Sequence, residues 1–109
     1  MCSSDLKGRL YVNLGAAFLS VSKNKEANEH FDKALAISIE IGDRTMEVCC
    51  YKNLANLVNS FHDCQKAREL LGKGLAITIN TGDRREQGMI YVNLGHVSLS
   101  LGKDRKSVV

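Results

Sequence analysis

Tyr11-Val12-Asn13-Leu14-Gly15 returns as Tyr51-Lys52-Asn53-Leu54-Ala55 and again as Tyr91-Val92-Asn93-Leu94-Gly95, with 40 residues between successive copies. A fixed period of roughly 20–50 residues marks a solenoid, because each short unit cannot bury its apolar face alone and stacks on its neighbours. A second motif keeps the register: Ala34-Leu35-Ala36-Ile37-Ser38-Ile39 matches Gly74-Leu75-Ala76-Ile77-Thr78-Ile79. Each unit therefore has two halves. In the first, Leu10, Leu14, Ala17, Phe18 and Val21 share one helical face and define helix A, with Leu10, Leu14, Phe18 and Val21 expected in the core. In the second, Ala27, Phe31, Ala34, Leu35 and Ser38 continue a helical period that Ala67, Leu71, Gly74, Leu75 and Thr78 repeat, which defines helix B.

Between units stands Gly42-Asp43-Arg44, repeated as Gly82-Asp83-Arg84. Glycine accepts the left-handed conformation that ends a helix, and aspartate caps the next one. Asp83 with Glu86 has the capping-box spacing, whereas Asp43 is followed by Met46, so the second junction is expected to be the better capped. Turns within units are predicted at 21–24, 61–64 and 101–104. Gly15, Ala55 and Gly95 on helix A, with Ala27, Ala67 and Ser107 on helix B, are small where the two helices must approach closely. The recurrent Tyr11, Tyr51 and Tyr91, with Phe18 and Phe31, read as core packing.

Composition narrows the function class. A net charge of +3 from 15 basic and 12 acidic residues is spread along the 109-residue chain without a basic run, which argues against nucleic-acid binding. Apolar stretches fall far short of the ~20 residues that span a bilayer, and the N-terminus lacks the pattern of a secretory signal, so no membrane partner and a cytoplasmic location are expected. Cys2, Cys49, Cys50 and Cys64 lack C-x-x-C spacing and are read as reduced packing residues; no metal and no cofactor are expected. His62-Asp63-Cys64 is the only tight group of catalytic residue types and falls on a predicted turn. With neither a phosphate loop nor a nucleophile elbow, the chain is not expected to be an enzyme.

Tyr11, Leu14, Gly15 and Phe18, followed by Ala27, Phe31 and Ala34, resemble in order and spacing the signature of the tetratricopeptide repeat. The second unit keeps it as Tyr51, Leu54, Ala55, Val58, Ala67 and Leu71, with Gly74 for the last Ala; the third offers Tyr91, Leu94 and Gly95, then Ser98 in place of an aromatic. The period is 40 rather than the usual ~34, and the late proline of that family is absent. The longer helix B with Ile-Gly-Asp-Arg is similar to the 40-residue subclass of Pins/LGN-type spindle-orientation adaptors and long metazoan midzone proteins. The resemblance implies an all-α, right-handed α-solenoid of antiparallel helix pairs: one domain over 1–109, with repeats at 4–42 and 43–82 and half a repeat at 83–109. It also implies a non-catalytic scaffold or adaptor, cytoskeleton- or spindle-associated, that holds a partner's peptide in the concave groove lined by each helix A.

With the core stripe assigned, the opposite flank of helix A presents Arg9 and Asn13, then Cys49, Lys52, Asn53 and Asn56, then Met89, Asn93 and His96. Asn13, Asn53 and Asn93 form a ladder whose amides can bond the backbone of an extended peptide. Lys52, Asn56 and Asn93 resemble the first half of the carboxylate clamp of some tetratricopeptide domains, whose second half would need a fourth unit; otherwise Lys52 reads as a solvated or acid-attracting groove residue. The alternative is a self-associating module or a spacer fragment of a longer array, stacking through a third helix A whose Ile90, Leu94, Val97 and Leu101 await a helix B while only residues 104–109 remain.

Overall fold

The two glycine-aspartate junctions set the path of the chain in the computed structural model, which describes residues 2–60 and 63–104. Helices α1 (Cys2–Ser20), α2 (Asn24–Ile41), α3 (Arg44–Ser60), α4 (Cys64–Thr81) and α5 (Arg84–Asp104) follow in order, with no strand among the described residues. Gly42 and Gly82 take φ of 73° and 75°, the left-handed conformation that reverses the chain after α2 and α4. Asp43 and Asp83 then accept from the N–H groups of Met46 at 3.1 Å and Glu86 at 3.2 Å. The two caps are equivalent, which corrects the expected difference between them. The Asp83 N–H already bonds the Thr78 carbonyl at 3.1 Å, and the Glu86 side chain is engaged elsewhere, so no reciprocal box forms. The first turn within a unit is closed by Ser22 at φ 66° and by the Lys23 N–H on the Phe18 carbonyl at 2.8 Å. In the second, Asp63 caps α4 through the Lys66 N–H at 3.2 Å, while Phe61 and His62 lie outside the described residues. Residues 101–104, expected as a third turn, are helical and belong to α5.

Short turns make successive helices antiparallel neighbours. α1 pairs with α2 and α3 with α4; α2 also packs on α3 and α4 on α5, while α1, α3 and α5 touch in series. The result is an all-α solenoid measuring 55 × 33 × 17 Å, its thickness that of two helix layers. α1, α3 and α5 form one layer, α2 and α4 the other.

Each helix B is shared by two helices A. Phe31 on α2 is fully buried, clustered with Ala27, Leu54 and Leu57, with Phe18 and Leu19 packed against it. Leu71 on α4 repeats the arrangement between Tyr51 and Ala55 of its own unit and Ile90 and Val97 of the next. This sharing corrects the expected core of α1. Leu10 is 57% exposed and Val21 62%, and Leu14 is 37% exposed where its counterpart Leu54 is 4%. The counterparts Cys50 and Leu54 are buried by α2, and no described helix precedes α1 to do the same. Conversely, Ile90 and Val97 are already covered by α4, so the open face of α5 carries Tyr91 and Leu99 instead. Tyr91 is 53% exposed while Tyr51 is buried, so the expected core role holds for Tyr51 and not for its third copy. Ser107 lies outside the described residues.

The same asymmetry appears at the small residues. A Cβ on Gly15 would lie 2.7 Å from the Phe31 ring, whereas one on Gly95 would meet no described residue within 4 Å. Gly15→Ala is therefore expected to lose about 1–2 kcal/mol by overpacking a ring that has no room to move. Gly95→Ala should instead gain about 0.5–1 kcal/mol of helix propensity. Urea unfolding of the two variants checks this; two shifts of the same sign would refute it.

Candidate functional site

The flank of α1, α3 and α5 that does not pack on helix B is where the groove residues stand. Arg9 and Asn13, one turn apart on α1, line a recess of about 450 Å³ with Val12 and, from the next unit, Asp43, Thr45 and Cys49. Arg9 and Asp43 supply one charge of each sign, so the recess, to which Met46 also contributes, carries no net charge. Arg9 also reaches Asp5 at 3.8 Å along its own helix, an exposed pair. Val12, Asp43 and Thr45 were not among the expected groove residues. Val12 lies on α1 between Arg9 and Asn13, whereas Asp43 and Thr45, at the junction and in the first turn of α3, are brought there by the packing of the second unit.

Lys52 is not solvated. Its ammonium donates to the Glu86 carboxylate at 2.5 Å, with the two side chains 12% and 22% exposed, and lies 3.9 Å from the Met89 sulfur. The pair ties α3 to α5 along the groove side. A sequence signal for it exists: Leu6, Met46 and Glu86 occupy one register position, and the third copy alone is charged. An ammonium already neutralised by a carboxylate is poorly placed to serve as half of a clamp for a second one.

Asn53 and Asn93 are half-buried, while Asn13, Asn56 and His96 are exposed. Asn53, Asn56, Asn93 and His96 share neither the Arg9 recess nor the Lys52 contact. The three ladder amides have no side-chain hydrogen bond to another described residue. Their donors and acceptors are free for an outside group.

The buried titratable groups behind this face are structural. The Tyr51 hydroxyl donates to Glu47 at 3.2 Å, and Arg44 stands 3.7 Å from the same carboxylate. Burial, reinforced by the neighbouring Glu47, raises the Tyr51 phenol above its ordinary range. Cys50 is fully buried, and desolvation pushes its thiol up to about 12, which leaves it protonated and unreactive at neutral pH. Cys49, Cys50 and Cys64 are free thiols. No group of three metal-ligating side chains is present among the described residues, and no described helix is long and apolar enough to cross a membrane.

The family model described as Tetratricopeptide repeat matches residues 6–80, more than half of the chain. No curated protein gives a match.

Removing one partner of the Lys52–Glu86 pair leaves a partly desolvated charge behind. Lys52→Ala and Glu86→Ala should each lose about 1–2 kcal/mol of stability, between the ranges for exposed and buried pairs. The double variant should lose less than the sum of the two. A thermodynamic cycle by urea unfolding measures the coupling, and additive losses would show that the contact contributes nothing.

Proposed function

The chain belongs to the tetratricopeptide repeat family, and from that premise we propose that it is a non-catalytic adaptor holding an extended peptide of a partner protein along α1, α3 and α5. Repeats of this family are generally protein-interaction modules. The observation that carries the reading is the row of Asn13, Asn53 and Asn93: three amides in 40-residue register, none spent on a hydrogen bond to another described residue. An extended peptide offers alternating donors and acceptors along its backbone, and an amide satisfies both. The Arg9–Asn13 recess supports the same use by giving one peptide side chain a place to sit. The 40-residue period further supports an assignment to the Pins/LGN-like subclass, with a cytoplasmic, spindle- or cytoskeleton-associated adaptor role.

A second reading is favoured by the open face of α5, where added Cβ atoms at Gly88 and Gly95 would meet no described residue within 4 Å and Tyr91 and Leu99 are exposed. The corresponding face of α1 is filled by α2, with Gly15 against Phe31. Self-association through that face would cover it in the same way.

Affinity capture with the wild type and with Asn13, Asn53 and Asn93 changed to Ala tests the groove. The substitutions remove no internal hydrogen bond, so stability should change by less than about 0.5 kcal/mol per site, while captured partners are lost. An identical set of partners would move the binding surface elsewhere. For the second reading, sedimentation velocity over a concentration series should show a rising mass that Tyr91→Glu abolishes; a constant monomer mass would end it.

A further inference from the structure

A second concave feature lies on the opposite side of the molecule. α2 and α4 each pack on α3 but not on one another, so a channel of about 590 Å³ runs between them. Its floor is leucine-rich: half-buried Leu35 of α2 and Leu70 of α4 pack on Leu54 and Leu57 of α3, which are themselves buried. Asn24, Asn28, Asp32, Leu35 and Ile39 follow helical spacing along the α2 wall, a run of about 22 Å at 1.5 Å per residue. At the end of that wall Ile39 is 57% exposed. An exposed branched side chain over an apolar floor is a surface that gains from being covered.

The rim decides what covers it. Lys25 from α2 and Lys66 and Lys73 from α4 line the channel, and none of the three forms an ion pair with a described residue. Asp32 is the only carboxylate among the lining residues, and partial burial holds it above the usual carboxylate range while Lys66 pulls it back. The Arg9 recess, by comparison, balances one cation with one anion. Three cations against one carboxylate concentrate on this channel much of a chain-wide excess of only +3. Lysines facing each other across an apolar floor repel, and an anionic segment between them relieves that repulsion while its apolar side chains reach the leucines.

We propose that the channel between α2 and α4 is a second docking site, for an acidic segment of a partner protein that presents large apolar side chains. Acidic groups pair with Lys25, Lys66 and Lys73, and the apolar side chains occupy the floor beside Ile39. The site is independent of the amide row, so the chain can hold two segments at once, one on each layer.

A random-peptide display library selected on the purified chain supplies the probe, and the selected peptides are synthesised for fluorescence anisotropy. The selected sequences should combine Asp or Glu with Leu, Ile or Phe. Their affinity should fall with added salt and drop about tenfold or more in Lys66→Glu/Lys73→Glu, a reversal of two exposed rim charges. Ile39→Ser should weaken them about fivefold to tenfold, while the variant with Asn13, Asn53 and Asn93 changed to Ala binds as the wild type does. All three substitution sets lie at exposed or half-buried positions, and far-ultraviolet circular dichroism verifies unchanged helix content. An empty selection, peptides without acidic bias, or affinity unchanged in either channel variant would overturn the proposal. Loss of binding in the asparagine variant alone would assign the peptides to the other face and overturn it equally.

Discussion

Everything in this structure depends on one helix B being buried by two helices A at the same time. Phe31 shows how. One side of its ring rests where a Cβ on Gly15 would otherwise stand, and the other joins Leu54 and Leu57 of the following unit. A single aromatic therefore closes a hairpin and joins it to the next. Because apolar burial is proportional to area removed from water, neither hairpin alone hides enough surface to hold its shape, and the contact between units is part of each unit's own core. Leu71 does the same one period later with a smaller side chain, in a cluster with Ala55 of its own unit and Ile90 and Val97 of the next.

That constraint explains why identical register positions behave differently. Leu14, Leu54 and Leu94 are copies of one residue, yet they are exposed, buried and half-buried in turn. Periodicity specifies which face of a helix is apolar, but burial is a property of the pair of helices that meet there. The tyrosines make the converse case: Tyr51 is covered by α4 of its own unit, while no described helix covers Tyr91. The two apolar stripes, on the outer faces of α1 and α5, are thus different faces of helix A. One is the side that receives a preceding helix B, the other the side that receives its own.

The repeat, the helix boundaries at Gly42 and Gly82, and the close approach at Gly15 were legible in the sequence because each has a local cause: a period, a left-handed residue, a missing side chain. What was not legible came from groups on different units. Glu86 looked like a capping residue because Asp83 stands three positions before it, but the Asp83 N–H was already taken by Thr78, and Lys52, 34 residues away, offered a full charge instead. Asp43 and Thr45 reach the Arg9 recess only because the second unit packs beside α1. The channel between α2 and α4 has no sequence signature of its own. Lys25, Lys66 and Lys73 are brought to one channel only by the placement of α2 and α4 on either side of α3.

The separation of α2 from α4 follows from the same sharing that builds the core. A helix B that must touch the helix A before it and the one after it is placed over the gap between them, and its neighbour one period on is held away by the intervening α3. The layer of helices A leaves no gap between successive members, since α1, α3 and α5 touch in series. The layer of helices B stays open, and the gap between α2 and α4 is a channel above the buried leucines of α3. Two surfaces of opposite character thus arise from one packing rule. A face carrying unpaired amides suits the backbone of an extended chain, whereas a channel with an apolar floor and a cationic rim suits anionic and apolar side chains. The proposed recognition through amides and the proposed recognition through charge and apolar contact therefore fall on different layers of the same short array.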